Sequence, residues 1–559
     1  MFTGPAMARP VSAALRVTTA AEAAARDRGA IRAGIDAFDL MLRAGSAAAE
    51  VMLRDHADRL AHGVAIFAGT GNNGGDAYVV AAQLARMGVP ARVHAARPPR
   101  TPDAQRAAAL AAAMLIHGAP TGRERVVVDG LLGTGHQGAL RETVAADAAH
   151  LALARDGGAM VVALDLPSGL DATSGAIAEG SVPAHLTICF GTIKRGLLLQ
   201  RAHAGRIVAV DIGLATFADR PGDVDDDAWR WAHAPLLQRM MPPIAWDAHK
   251  GDRGRLGIAG GEEGMAGAVV LACRAALASG AGLVHAIVDE PSVAPVQMLV
   301  PQALAHRWPA HPTSRRADAR TPAAIAPTVA HPTPSQANAE PRYDALAIGP
   351  GLGRGRASAL LLQHLLDLHR GLPLVLDADA LWLAADAANA LGTDTASMLR
   401  HWTRDAAQVV CTPHPGEFAR LLGVPLSPRW DDRVAMLSQF AARANCTVLL
   451  KGTPTMVATP DGQPLWCVPH GTPLLATGGS GDCLSGIIGT LLAQGARARD
   501  AAVLGASVHG LAAERAGAMV DPRGGTLEHV LEALPAAWRQ LAVSPSPAPH
   551  VLAVLPAVA

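Results

Sequence analysis

The sequence predicts two α/β units in tandem, each a parallel sheet covered by helices. Short β-rich runs alternate with alanine-rich helical stretches on both sides of a break near residue 240. The length, 559 residues, also exceeds what one hydrophobic core supports. Composition agrees, because a chain that is 50% hydrophobic but only 3% aromatic suits tightly packed layers better than an aromatic-rich binding surface. The 48 basic and 48 acidic side chains cancel, so neither nucleic acid nor an anionic membrane is expected as the main partner. The six cysteines, Cys189, Cys273, Cys411, Cys446, Cys467 and Cys483, form no C-x-x-C pair. That argues against a zinc site or disulfide framework and for a reducing compartment. No apolar signal region and no uncharged run of about 18 residues is evident, so a soluble cytoplasmic protein is expected.

In chain order, residues 1–15 read as a flexible tail and 18–60 as helix. Strands follow at 64–68, 91–95, 126–129, 160–164, 186–190 and 207–210, giving a first domain over 16–225. An acidic, proline-flanked stretch between Ala218 and Pro243 makes 226–245 a linker or a short connecting helix. A second series, at 255–259, 283–288, 345–348, 374–376, 409–411 and 448–450 with closing helices after Asp482, gives a second domain over 246–540. Residues 308–342, rich in Pro, Ala and Ser without periodicity, are expected to be a flexible surface insertion, and 541–559 a flexible tail.

Three motifs in the first domain each follow a strand. The run Gly69-Thr70-Gly71-Asn72-Asn73-Gly74-Gly75-Asp76 has the spacing of a glycine-rich dinucleotide loop. The next strand ends without the acid a nicotinamide dehydrogenase uses for its ribose, which counts against that class. Asp129-Gly130-Leu131-Leu132-Gly133-Thr134-Gly135 and Asp165-Leu166-Pro167-Ser168-Gly169 complete the set. In a parallel sheet such ends meet, so Asn73, Asp129 and Ser168 could converge as hard oxygen ligands for a cation; alternatively each acid caps its own loop. Lys194, in Phe190-Gly191-Thr192-Ile193-Lys194, is either a solvated loop charge, a phosphate contact, or a proton-transfer partner of Asp165.

The second domain carries Gly478-Gly479-Ser480-Gly481-Asp482 at the start of an apolar helix. Unpaired amides and the dipole at a helix start suit a phosphate, and glycines admit it closely. A carboxylate there suggests a base that deprotonates a hydroxyl while the amides hold a phosphoryl group. Other strand ends carry Gly349-Pro350-Gly351-Leu352-Gly353, Asp377-Ala378-Asp379, Thr412-Pro413-His414-Pro415-Gly416-Glu417 and Lys451-Gly452-Thr453-Pro454-Thr455. Asp377 and Asp379 could sit near magnesium, with helix capping the other reading of Asp379. The entry His249-Lys250-Gly251-Asp252-Arg253-Gly254-Arg255 either meets phosphates or forms a turn. No G-x-x-x-x-G-K-[ST] run occurs, which removes P-loop nucleotidases.

In this order the first three motifs resemble the NAD(P)H-hydrate epimerase family, and the second set resembles the ADP-dependent NAD(P)H-hydrate dehydratases, which have a ribokinase-like fold. The pair resembles the bacterial bifunctional nicotinamide nucleotide repair enzymes. The resemblance implies an N-terminal Rossmann-like domain that interconverts the R and S forms of hydrated NADH or NADPH, and a second domain that dehydrates the S form with ADP, giving AMP and phosphate.

By the same resemblance Asn72, Asn73, Gly74, Gly75 and Asp76, the loop Gly133, Thr134, Gly135, His136, Gln137, Gly138 and Ala139, and Asp165 bind the hydrate. Asn73, Asp129 and Ser168 bind potassium, and Asp165 with Lys194 forms the acid–base pair. In the second domain Asp482 is the base and Gly478, Gly479, Ser480 and Gly481 hold phosphate. Lys451, Gly452, Thr453, Pro454, Thr455 and Gly481 contact ADP, with magnesium as the accompanying cation. Ala268, Gly353, His414 and Asp482 face the hydrated substrate. The resemblance also implies a homo-oligomer, a tetramer in the family. One departure stands out: His470-Gly471-Thr472-Pro473 occupies the place where the family usually has Asn-Pro-Gly-Met. Two rivals remain, a vitamin-type kinase, which leaves the first domain unexplained, and a non-catalytic ligand sensor.

Overall fold

The computed structural model describes residues 14–112, 114–214, 229–308, 341–543 and 550–558. The chain divides into two compact units, with the break after Ala234 and the C-terminal residues from Pro545 assigned to the first.

The first unit is built on an eight-stranded sheet in the order Val551–Leu555, Arg206–Val210, Leu186–Phe190, Met160–Leu164, Val126–Gly130, Val64–Ala68, Ala91–His94, Ile116–His117. All neighbours are parallel except Val551–Leu555, which runs antiparallel to Arg206–Val210. The central strands are buried along their whole length, as continuous apolar runs with helices on both faces require. A second small sheet sets Leu15–Thr18 parallel to Ile193–Lys194 and antiparallel to Trp229–Trp231, with Thr18 in register with Lys194.

Several sequence expectations change here. The 18–60 helix is two helices, Ala20–Arg32 and Ala37–Leu60: Thr19 and Glu22 form a capping box for the first, and Asp36 caps the second through the Phe38 amide. The expected linker or connecting helix at 226–245 does contain a helix, Ala234–Met240, but also the unexpected strand Trp229–Trp231, whose two indoles are buried. The expected C-terminal tail contains the paired strand Val551–Leu555, because an apolar, β-branched run beyond the prolines completes the sheet edge. The remainder of that tail at 544–549, the N-terminal tail through residue 13, residues 215–228 and the insertion between 309 and 340 lie outside the described residues.

The second unit orders its strands Leu304–Arg307, Leu283–Val288, Arg255–Gly260, Ala345–Ile348, Leu374–Leu376, Val409–Cys411, Thr447–Leu450, Thr455–Ala458, Trp466–Val468. The ladder is parallel through Thr447–Leu450, and the last two strands are antiparallel. The helix Ser480–Ala493 packs so closely on Ala266–Ala278 that a Cβ at Gly486 would stand 2.1 Å from the Ala272 carbonyl oxygen. That packing fixes where the helix begins, and therefore where its phosphate loop lies. All six cysteines are free and buried, and among the described residues no helix is long and apolar enough to cross a membrane.

Candidate active sites

In the first unit the three motifs meet at the carboxyl edge of the sheet, because each follows one of three adjacent parallel strands. The helix Asn72–Arg86 opens straight from its strand, and the turn closes only with glycine: a Cβ on Gly74 would lie 1.9 Å from the Gly69 carbonyl oxygen. Asn73 Nδ2 then donates to the Leu132 carbonyl at 2.8 Å, while Asn73 Oδ1 is buried with no hydrogen-bond partner. Ser168 Oγ donates to Asp129 Oδ1 at 2.5 Å and accepts from the Leu132 amide at 2.9 Å, and the Ser168 amide donates to Asp129 Oδ2 at 2.7 Å. Burial raises the Asp129 pKa against the pull of those hydrogen bonds. An orphaned acceptor beside a buried carboxylate and a hydroxyl is a donor set that fits a weakly hydrated cation.

Beside this cluster Asp165 adopts φ 65°, the left-handed region that is uncommon for a residue with a Cβ. Lys194 Nζ donates to Asp165 Oδ1 and, at 2.9 Å, to the Phe190 carbonyl, while the Phe190 amide donates to Asp165 at 3.2 Å. The two buried side chains are therefore partners. Burial is the largest influence and works against the Lys194 ammonium, but the fields of Asp165, Cys189 and Asp27 together with the hydrogen bond to Asp165 outweigh it, and its pKa is raised. Asp76 is held well above the usual carboxylate range by burial and then by Asp165 and Asp27, against the pull of Lys194. Asp27, on the helix Ala20–Arg32, shifts the same way through the surrounding protein and Asp165, again opposed by Lys194. No motif flagged Asp27; it reaches the site because the pairing of Thr18 with Lys194 brings the following helix across. The loop 133–139 lines the same edge and leaves His136 Nε2 buried without a partner, while Gln137, Gly138 and Ala139 are exposed.

In the second unit Gly479 has φ +95° and caps the helix Ser480–Ala493 without any side-chain bond. Among the described residues the amides of Gly481 and Asp482 have no acceptor, so a fourteen-residue helix presents free N–H groups at its positive end. Asp482 is half-buried, and burial, then Asp377, Asp379 and Glu417, against the pull of Lys451, raise its carboxyl to about 7. Lys451 Nζ lies 2.9 Å from Asp377 Oδ1 and 3.9 Å from Glu417 Oε2, and a Cβ at Gly481 would stand 2.9 Å from it. The ammonium thus faces the phosphate loop. The segment Lys451–Thr455 continues beyond it, with a cis Thr453–Pro454 bond and Thr455 Oγ1 donating to the Gly452 carbonyl at 3.1 Å.

The acids offered for magnesium are otherwise engaged. Asp377 accepts from Lys451 and from Ser485 Oγ at 2.7 Å; Asp379 accepts from the Gly353 amide at 2.9 Å and from Arg354 Nε at 2.7 Å. Neither is left as a cage for a divalent ion, and Asp379 is not a helix cap, since Asp377 occupies that position. His414 caps the helix Pro415–Leu422: its Nδ1 accepts from the Gly416 and Glu417 amides at 3.1 and 3.3 Å. Its ring remains exposed on the side facing away from the cap. Ala268 lies against Gly351, since a Cβ there would stand 3.2 Å from the Ala268 Cβ. The His470-Gly471 segment is anchored by Glu514, which accepts from the Gly471 amide at 3.1 Å. The basic entry 249–255 sits at the other end of the helix Ser480–Ala493, where Gln494 donates to the Arg253 carbonyl at 3.3 Å. At about 1.5 Å per residue that is ~20 Å from the phosphate loop, so the turn reading holds.

Comparison with known proteins matches both units. The family model described as NAD(P)H-hydrate dehydratase matches residues 256–535, and that described as YjeF-related protein N-terminus matches 37–196. The bifunctional NAD(P)H-hydrate repair enzyme Nnr of Moorella thermoacetica is 34% identical over 544 residues, covering 94% of this chain and 97% of the relative. Its counterpart from Escherichia coli is 34% identical over 510 residues, covering 88% and 87%. A Bacillus subtilis crystal structure, an ADP/ATP-dependent NAD(P)H-hydrate dehydratase co-crystallised with ATP and Mg2+, is 26% identical with a TM-score of 0.44, covering 56% of this chain and 98% of that one. The chain belongs to the family of bifunctional NAD(P)H-hydrate repair enzymes.

Proposed function

We propose that the chain repairs hydrated NADH and NADPH in two steps, epimerising the R and S forms in the first unit and dehydrating the S form with ADP in the second. The observation that carries this reading is Asp482: a half-buried carboxyl raised to about 7, at a helix start whose amides are free and beside the Lys451 ammonium. A base with a pKa near neutrality suits a hydroxyl proton. Asp482 takes the proton of the 6-hydroxyl as its oxygen attacks the β-phosphorus of ADP. The bridging P–O bond breaks, and AMP leaves. The amides of Gly481 and Asp482 hold the transferred phosphoryl oxygens and Lys451 offsets their charge. The C6–O bond of the phosphorylated ring then breaks, phosphate departs, and loss of the neighbouring ring proton restores the reduced nicotinamide.

Lys451 to Thr455 would contact ADP, and Ala268, Gly353 and the exposed edge of His414 the hydrated ring. Since Asp377 and Asp379 are paired to protein donors, magnesium would arrive on the nucleotide phosphates. In the first unit Asp165 and Lys194 would serve as the acid–base pair at the hydroxylated C6, acting on the proton of its hydroxyl, with Asn72 to Asp76 and the 133–139 loop around the ring. The Asn73, Asp129 and Ser168 oxygens fit potassium, which would supply a fixed positive charge beside the substrate. A tetramer in the cytoplasm, where its thiols stay reduced, completes the reading. The test is Asp482→Asn: ADP-dependent regeneration of NADH from the S hydrate is expected to vanish while R/S interconversion persists. Unchanged dehydration in that variant removes Asp482 as the base.

A further inference from the structure

One cluster beside the phosphoryl-transfer site has no part in the chemistry above. Trp382, on the helix Ala378–Ala390, is approached by two guanidiniums, with Arg354 Cζ and Arg420 Cζ each 5.3 Å from the ring centroid. Both arginines are exposed. Arg354 follows Gly353 and is tied by Nε to Asp379, the same carboxylate that holds the Gly353 amide. Arg420 stands on the helix that His414 caps, and among the described residues it forms no ion pair. Two cations therefore approach one indole, one next to Gly353 in the chain and the other on the helix that His414 caps, the two residues assigned above to the hydrated ring.

Two like charges on one ring repel each other, and among the described residues one carboxylate, Asp379, pairs with them, through Arg354. Each guanidinium lies within cation–π range of the indole, an attraction that biases both toward the ring and lowers the freedom they lose on binding. Planar N–H forks match the oxygens of a phosphate group, and the hydrated dinucleotide carries phosphates beyond its nicotinamide end.

We propose that Arg354, Trp382 and Arg420 form a subsite for a phosphate group of the dinucleotide substrate, separate from the loop that receives the phosphoryl group of ADP. This rests on the dehydratase reading of the second unit. The phosphate is either the pyrophosphate, common to both substrates, or the 2′-phosphate that only the NADPH form carries.

The test compares the full-length parent chain with Arg420→Gln, which leaves both partners of Asp379 in place, varying the S hydrates of NADH and of NADPH at saturating ADP and, separately, ADP at saturating hydrate. Loss of a charge-assisted contact is expected to raise KM for the hydrate about tenfold, with the smaller change in kcat. A rise for both hydrates identifies the pyrophosphate; a rise confined to the NADPH form identifies the 2′-phosphate and gives the site its preference. Either result supports the subsite. Unchanged KM for both hydrates in Arg420→Gln and in Arg420→Ala overturns it, as does a rise confined to the KM for ADP. A parent chain that dehydrates neither hydrate overturns the underlying reading and the subsite with it.

Discussion

Asp482→Asn is expected to make the protein more stable while removing its dehydratase activity. A carboxyl raised from 3.8 to about 7 binds its proton more tightly in the folded state than in the unfolded one. Stability is therefore lost as pH rises from 3.8 toward 7, and the whole penalty stands above 7. At 1.36 kcal/mol per unit the shift corresponds to about 4 kcal/mol, an upper bound that solvent and relaxation at a half-buried group reduce to about 1–3 kcal/mol. The asparagine keeps shape and polarity without the charge. Urea unfolding of parent and variant at about pH 8 should thus show the variant more stable by that amount, with the difference shrinking as pH falls from 7 toward 3.8 and vanishing only below that, where Asp482 is neutral in both states. A difference that does not change with pH, or a variant less stable at alkaline pH, would refute the burial argument on which the base assignment depends.

Two further outcomes follow from the same geometry. Lys451→Met removes the cation that lowers the Asp482 pKa, so the acid limb of kcat/KM for the S hydrate, expected near pH 7, should move to higher pH; it also leaves Asp377 buried beside an apolar side chain, at a cost of about 3 kcal/mol in unfolding free energy. Ser168→Ala removes an oxygen and a donor from the Asp129 cluster, so the R-hydrate epimerisation rate, measured in potassium and in lithium at equal ionic strength, should be higher in potassium for the parent and lose that difference in the variant.

The parts of both sites that lie just after strands were legible in the sequence, because small residues and acids at strand ends have few other uses. Asp165 with Lys194, the Asn73, Asp129 and Ser168 cluster, and the Gly478–Asp482 loop all lie where the spacing put them. What the sequence hid depended on tertiary pairing. Asp377 and Asp379 read equally as acids near magnesium or, for Asp379, as a helix cap, because the sequence does not show that Lys451 and Arg354 reach them; His414 reads as a ligand contact although its imidazole also caps a helix. Asp27 lies on a helix with no motif and enters the first site only through the register of Leu15–Thr18 on Ile193–Lys194. Arg354, Trp382 and Arg420 come from three separate elements, so no local pattern announces them. The strand Val551–Leu555 was masked by the prolines before it, although its apolar run has the composition of a sheet edge.

The central claim, that one chain joins an epimerase to a dehydratase, is tested most directly with single epimers. Purified R hydrate and S hydrate of NADH are each mixed with the parent chain, with Asp165→Ala and with Asp482→Asn, in the presence of ADP, magnesium and potassium, and the absorbance of the reduced nicotinamide ring is followed. The parent should restore NADH from both epimers, Asp482→Asn from neither, and Asp165→Ala from S at the parent rate but from R only at the rate of spontaneous epimerisation. Equal R-hydrate rates in the parent and Asp165→Ala, or no NADH from either epimer with the parent, would contradict it.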